Sequence, residues 1–503
     1  MGEDLTLDST VNVAWKNQYR RVASHKIMNG RTTQGGETTP LLGPSPIVHP
    51  SHERGPVWRF FLDTKNTPGT DSPNPLTKWP ARVWNVTKVT LLSSWINLLL
   101  VFVPLGIIAG QQEWGATWVF TLNFFAIIPL AAVLSFATEE IANRLGDTLG
   151  GLVNATFGNA VELIVSVVAL RAGEIEVVQA SMLGSILSNL LLVLGMCFLL
   201  GGIFNMRDAN GLGTEQEFAS GTAQTTCSLM TLSAASMIIP AALYNILDTA
   251  QDDEKKNSIL ILSRGTAVIL LLLYCLYLYF ALYTHKQLFE PEAQTNTGLD
   301  EDEEEHVPIL GPWSAGVVLV AVTLIISVCA DHMVASIDDL VATGKISKSF
   351  IGLILIPIVG NAAEHVTACV VAVKNKMDLA MGVAIGSSIQ IALLVTPALV
   401  MLGWATGQPM TLHFETFQTI AFALSVMVVT YTVQDGKSNY LEGAMVSHDF
   451  FPCQGSVPIK MSNSRRLSAP RSVCHHRYSL LGSTCLDRYL FDQISNHLSH
   501  LPG

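Results

Sequence analysis

Read from its amino end, the chain is polar and aperiodic as far as about residue 88, where Gly, Pro, Ser and Thr dominate. Apolar stretches then follow at about 91–109, 114–136, 150–171, 179–204, 227–247 and 258–282. After a polar gap, four more lie near 312–334, 350–373, 379–404 and 416–433. As helices, each is long enough to cross a hydrocarbon core of about 30 Å at about 1.5 Å per residue. The pattern predicts an all-α polytopic membrane protein with about 10 spans. Gly, Pro and Ser interrupt several of them, which membrane helices tolerate where neighbours satisfy the freed backbone groups.

Composition agrees. Of 503 residues only 14% are charged and 49% are hydrophobic, too little polar surface for a soluble globule of this size. The formal net charge of −11 excludes a general basic surface, and no basic-aromatic nucleic-acid module is visible. Cys197, Cys227, Cys275, Cys329 and Cys369 stand singly in apolar stretches with no CxxC, as buried small hydrophobes do. No early apolar segment reads as a signal peptide, and residues 1–88 read as a disordered tail. Its Lys and Arg residues favour a cytosolic N-terminus. Within it, Glu37-Thr38-Thr39-Pro40-Leu41-Leu42 is similar to the acidic dileucine signals that direct membrane proteins to vacuoles and lysosomes.

Two stretches inside the apolar pattern are versions of one another. Gly158-Asn159-Ala160-Val161-Glu162 is followed by Gly184-Ser185, and Gly360-Asn361-Ala362-Ala363-Glu364 by Gly386-Ser387. Both landmarks are offset by 202 residues. With a cytosolic N-terminus, the acidic run Asp300-Glu301-Asp302-Glu303-Glu304-Glu305 falls on the cytosolic side, together with Arg144, Arg207, Lys286, Lys374 and Lys376. Lys345 and Lys348 argue mildly against that scheme. The span of Glu162 then runs out of the cytosol and that of Glu364 back toward it, an inverted repeat around a midplane site. Glu162 lies about 18 Å into its span, near the middle of the bilayer.

An ionised carboxylate there costs at least about 2.5–3.5 kcal/mol, so each Glu must be neutral, paired with a cation or facing water. Two carboxylates meeting on a pseudo-two-fold axis balance one divalent cation or two protons. Desolvation and mutual repulsion favour the protonated forms, so protons compete with metal. Asn159 and Asn361 share the helical faces of the two Glu residues. Ser185, Ser188 and Asn189, with Ser387, Ser388 and Gln390, add oxygen. Such a donor set suits Ca²⁺, with Mn²⁺ also admissible. Singly, such residues often only pack and hydrogen-bond helices, but the same trio at one offset in two opposed spans is hard to explain that way. His365 has no counterpart in the first copy, where Leu163 stands, so proton handling and plain packing both stay open.

Glu139 and Glu140 precede the first repeat helix, and Asp331, Asp338 and Asp339 the second. They can concentrate cations at two mouths or be ordinary interfacial charges. The run 300–305 reads as a solvated linker, because adjacent like charges repel.

At Asn154–Ile164, within which the signature Gly-Asn-Ala-Val-Glu-Leu-Ile-Val-Ser begins and runs on to Ser166, and at Gly360–Ala368 and Gly386–Leu393, the chain resembles the Ca²⁺/H⁺ exchangers of fungal and plant vacuoles, within the cation/Ca²⁺ exchanger superfamily. The resemblance runs from about residue 85 to Met445. It implies a first helix (89–110), then two inverted five-helix repeats (111–284 and 312–445) joined by an acidic cytosolic linker (285–311). It also implies a secondary transporter of the vacuole membrane, not an enzyme, with no cofactor and an N-terminus in the cytosol. Ca²⁺ would enter the vacuole against lumenal H⁺, with a proton-pumping ATPase supplying the gradient. By position, Glu162 and Glu364 would be central ligands and proton acceptors. Asn159, Asn361, Ser185, Ser387 and Gln390 would support them, with carbonyls near Gly158 and Gly360. His365 matches a His of the family's second repeat.

One departure stands out. The family continues past Met445 with a further apolar helix, whereas here Val446-Ser447-His448-Asp449 opens a polar tail, 446–503, with three Cys and five His. Val-Ser can be encoded by GTGAGT, a consensus splice donor, so the tail is read as translated intron and the second repeat as one helix short. Two alternatives stay open: a Na⁺/Ca²⁺ or Mn²⁺/H⁺ exchanger, and an inactive membrane protein acting as a folding or dominant-negative partner.

Overall fold

The computed structural model describes residue 67 and residues 72–207, 211–246, 252–288, 309–343 and 346–455. All lie in one compact unit, Val57–Gly503, and the other unit, Met1–Pro56, falls outside the described residues. So do the dileucine-like stretch, the acidic run 300–305, Lys345 and the tail past Gly455.

The described chain is almost entirely helical. It opens with α1 (Pro75–Leu92), which begins inside the stretch 1–88 read from composition as disordered tail, and turns through Trp95–Val101 into α2 (Phe102–Gln111). The first repeat comprises α3 (Ala116–Phe157, broken at Gly146), α4 (Ala160–Arg171), α5 (Ile175–Leu187), α6 (Leu194–Phe204), α7 (Ser220–Ile246) and α8 (Asp252–Tyr279). The second comprises α9 (Pro312–Ala335), α10 (Ile337–Ala342), α11 (Ile356–Val373), α12 (Met377–Gln390), α13 (Thr396–Thr406), α14 (Thr416–Thr432) and α15 (Tyr440–Gly455). One-turn π segments join α5 to α6 at Ser188–Val193 and α12 to α13 at Ile391–Val395, nearly the same place in each copy. Such wide turns recur at functional sites.

Seven helical segments are long and apolar enough to cross a membrane, and nine if two bent pairs each count as one span. Thr416–Thr432 is a shorter apolar helix. In both Ile175–Phe204 and Met377–Thr406, 72% of the apolar window is buried, against 28% in Glu254–Thr284. The spans that follow the two Glu motifs are therefore the most enclosed, while α8 leaves Ile261, Ile269, Leu272 and Leu276 exposed. On α9, Trp313, Val317, Val320 and Leu324 are exposed at helical spacing, an apolar stripe suited to lipid.

The centre is held by close helix crossings. A Cβ on Gly184 would collide with the Leu353 carbonyl oxygen, and one on Gly352 would lie 2.7 Å from Ala180 Cβ. Each glycine admits the other's backbone, so α5 and the turn before α11 meet at a distance that side chains forbid. A two-stranded antiparallel ladder, Gln216 with Ser438 and Glu217 with Lys437, ties the loop after α6 to the connection between α14 and α15.

α15 continues through Gly455, ten residues past the point where the sequence leaves the family pattern. Val446 and Phe450, one turn apart, are buried, and a Cβ on Gly443 would collide with the Leu199 nitrogen of α6. That apolar face and close crossing hold the segment as a helix although its outer residues are polar.

Candidate functional site

The two motifs meet at the centre, on unlike backbones. In the first copy the helix stops at Phe157 and restarts at Ala160, with Asn159 at φ −103° and ψ 25°. The axes of Leu149–Phe157 and Ala160–Arg171 diverge by 42°. Glu162 thus stands in the first turn of α4, where exposed backbone N–H groups and the helix dipole favour an anion. In the second copy α11 runs unbroken through Glu364, and the irregularity lies upstream in the π turn Ile351–Leu355.

Asn159, at the cap position of α4, bonds across the repeats instead of capping. Its Nδ2 donates to Gln390 Oε1 at 2.5 Å and its Oδ1 accepts from Ser387 Oγ at 3.0 Å. Ser387 Oγ in turn accepts from Asn189 Nδ2 at 3.0 Å. Four expected site residues therefore form one chain of hydrogen bonds linking both copies. Ser188 Oγ lies 3.2 Å from His365 Nε2, a further cross-repeat contact.

Glu162 is buried and reaches the opposite motif: a Cβ on Gly360 would collide with its Oε1. Gly360 has to be glycine for that carboxylate to sit there. Glu162 Oε1, Glu364 Oε2, both side-chain polar atoms of Asn361 and Ser185 Oγ are buried without a hydrogen-bond partner. Each such atom costs about 1–3 kcal/mol when left unsatisfied, so their concentration in two facing motifs calls for a polar occupant. No group of three or more His, Cys, Asp or Glu side chains gathers among the described residues. The unpartnered atoms of the two motifs belong to carboxylate, amide and hydroxyl groups, whose oxygens suit hard ions.

Some expected residues stand elsewhere. Ser388 Oγ donates to the Ala384 carbonyl of its own helix at 3.0 Å and, among the described residues, makes no bond across the repeats. Gly158 is exposed at the helix break, with its Cβ direction 3.8 Å from Gln390 Oε1. Ser166, not selected from the sequence, is buried and unpartnered. Its signal was present, because it lies one turn after Glu162 on the same face.

The acidic residues before the repeat helices divide between opposite ends of α9, and Glu140 and Asp338 have structural roles there. Glu140 is buried and accepts from the Ile309 nitrogen at 3.2 Å and the Leu310 nitrogen at 2.7 Å, while Arg144 donates to the Leu310 carbonyl. Glu140 is an anchor for the start of α9, because a buried carboxylate must find donors. Asp338 pairs with Lys348 at 2.7 Å, and Lys348 also reaches Glu174 at 2.8 Å. Glu139, Asp331 and Asp339 are exposed.

Comparison with known proteins gives a consistent pattern. The sodium/calcium exchanger protein family matches over residues 115–283 and 314–447. The vacuolar calcium ion transporter of Schizosaccharomyces pombe is 50% identical over 365 residues, covering 72% of this chain and 84% of that protein. The vacuolar cation/proton exchanger 5 of Arabidopsis thaliana is 40% identical, covering 71% and 80% respectively. Among solved structures, that of the Ca²⁺/H⁺ antiporter protein YfkE superposes with a TM-score of 0.58 at 32% identity, covering 71% of this chain and 96% of that one.

Proposed function

The chain belongs to the sodium/calcium exchanger protein family, and from that premise we propose that it moves cytosolic Ca²⁺ into the vacuole in exchange for lumenal H⁺. The names of its relatives support the ions and the compartment. The observation that carries the site assignment is the convergence of Glu162 on Gly360 beside unpartnered oxygens from both copies. Glu162 and Glu364 together supply two negative charges. One Ca²⁺ balances them, and so do two protons, but both cannot be present at full occupancy. That exclusion couples the two flows without any covalent step. Asn361 and Ser185 would complete the oxygen set, while Asn159, Ser387, Gln390 and Asn189 hold the two copies in register. His365, held by Ser188, stands next to Glu364 and is placed to pass protons.

In this reading the protein is a multi-pass secondary transporter of the vacuole membrane with a cytosolic N-terminus, fed by a proton-pumping ATPase. The test is uptake of Ca²⁺ by vesicles that contain the full chain and carry an imposed pH gradient. Uptake driven by the pH gradient, and abolished by Glu162→Gln and by Glu364→Gln, is the expected result. Uptake that follows a sodium gradient instead, or that survives both substitutions, overturns it. Competition by Mn²⁺ in the same assay sets the preference between the two ions.

A further inference from the structure

The helix α1 carries a surface that ion exchange does not use. Leu76, Trp79 and Val83 are 88%, 71% and 53% exposed. Their spacing puts them on one face, where Trp79, Pro80, Val83, Trp84 and Thr87 line an open apolar cleft. Arg82 is exposed and Lys78 half-buried, one turn apart on the flank of that face. Lys88, by contrast, is buried and donates to Thr67 Oγ1 at 2.8 Å, so it belongs to the interior.

Three observations say what covers the apolar face. First, α1 is turned by 110° from the following apolar segment, Trp95–Gln111, so it lies roughly across a helix that is apolar enough to enter the membrane. The bend is built rather than loose: Asn97 is buried and its Nδ2 donates to the Thr90 carbonyl at 2.8 Å and to Ser93 Oγ at 3.1 Å. Second, the C-terminal half of α1 packs where a span begins. Val86 and Val89 cluster with Leu310 and Ala315 at the start of α9, beside the polar contacts of Glu140. Third, exposed tryptophans mark two levels. Trp95 and Trp313 stand at the α1 end, and Trp114 and Trp118 past the far end of α2. The segment between them is about 25 Å long as a helix, near the thickness of a hydrocarbon core. Tryptophan favours such boundaries.

We propose that α1 is an interfacial anchor. It lies in the plane of the bilayer at the Glu140 end, with Leu76, Trp79 and Val83 sunk into the boundary of headgroups and acyl chains, and with Arg82 and Lys78 holding anionic phospholipid headgroups. An amphipathic helix with aromatic and basic residues so arranged binds through both apolar burial and charge. The leaflet it occupies is continuous with the lipid-facing surface of Trp95, Leu98, Val101 and Leu105.

The unaltered full chain tests this in vesicles that contain phospholipids with a photoactivatable diazirine, placed either near the headgroup or at the acyl end. Mass spectrometry then locates the adducts. The shallow probe is expected to label the peptide spanning 76–83, with the deep probe labelling it at least about fivefold less, while residues 98–108 take up the deep probe. An anionic shallow probe should label 76–83 about tenfold more than a zwitterionic one. Lys78→Gln with Arg82→Gln, and separately high salt on the unaltered chain, should each erase that preference. Labelling of 76–83 by the deep probe as strongly as by the shallow one would make α1 half of a broken span and overturn the proposal. No labelling by either would mean that water or protein covers the face, and would overturn it equally. Shallow labelling without a charge preference, or a preference that survives both treatments, overturns the headgroup assignment.

Discussion

The helices carrying Glu162 and Glu364 hold nearly the same motif on different backbones. In the first copy the chain breaks at Asn159 and places Glu162 at the start of a helix, whereas in the second α11 passes through Glu364 without interruption. The amides differ as well: Asn159 is spent on Ser387 and Gln390, while Asn361 has no partner. Even the paired glycines differ, because Gly184 is pressed against the Leu353 carbonyl and a Cβ on Gly386 would meet nothing within 4 Å. Two halves of an inverted repeat must adopt unlike conformations for a shared site to open to one side at a time. Near-identical motifs in unequal settings are what the proposed exchange requires of its two halves.

The carboxylates themselves should erase the comparison. Glu162→Gln and Glu364→Gln are each expected to lower pH-driven Ca²⁺ uptake about 100-fold or more, since breaking a buried charge pairing costs about 3–5 kcal/mol. Initial-rate flux assays check this, and a variant with more than a tenth of normal uptake would break the two-carboxylate reading. The glycines should sharpen it. Gly184→Ala is expected to destabilise the protein by about 1–3 kcal/mol through overpacking, and Gly386→Ala by no more than about 0.5 kcal/mol. Thermal unfolding in detergent reads the difference, and equal effects would mean that the crossing is not held as described.

Asparagine separates the copies more finely. Asn159→Ala leaves Gln390 and Ser387 short of a partner and is expected to cost about 1–2 kcal/mol of stability. Asn361→Ala removes an amide that bonds nothing, so it should leave the melting temperature nearly unchanged and raise the KM for Ca²⁺. The opposite assignment of the two phenotypes would exchange the roles of scaffold and ligand.

The smallest effect concerns the loop after α13, which pins the second repeat onto the first. Gln179 Nε2 donates to the Thr411 carbonyl at 2.9 Å and the His413 carbonyl at 3.0 Å, and the His413 ring stacks on Tyr244. Burial, and after it the Lys255 ammonium, holds the His413 pKa below its ordinary value of 6.5. The folded chain thus resists a proton that the unfolded chain accepts, so this contribution is present above 6.5 and is lost as pH falls below it. Melting temperature should drop between about pH 7.5 and 5.5, and less so in His413→Phe, which keeps the stack without the titration. An unchanged slope would remove His413 from the account.

Much of this was legible in the residues. Apolar runs located the helices because lipid requires about twenty such residues per crossing. The recurrence of Gly-Asn-x-x-Glu at one offset singled out two stretches that the fold brings together, because a carboxylate in an apolar run needs a reason. What failed was reading exposure from charge. Glu140 looked like a mouth residue and is a buried anchor, since backbone donors 169 and 170 positions away cannot be seen along the chain. The polar residues after Ser447 likewise hid a helix that Val446 and Phe450 hold in place.

By itself, then, the sequence determined where most of the apolar helices lie, though not Pro75–Leu92 or the end of Tyr440–Gly455, and that two of them carry matched polar groups at one offset. Those properties follow from local composition and from direct repetition along the chain. Only the tertiary structure decided that one motif breaks its helix and the other does not, and that Asn159 meets Gln390 across 231 positions. It alone showed that Glu162 lies against Gly360. Each depends on which backbone approaches which, and close packing of distant segments leaves no mark in a single chain's pattern.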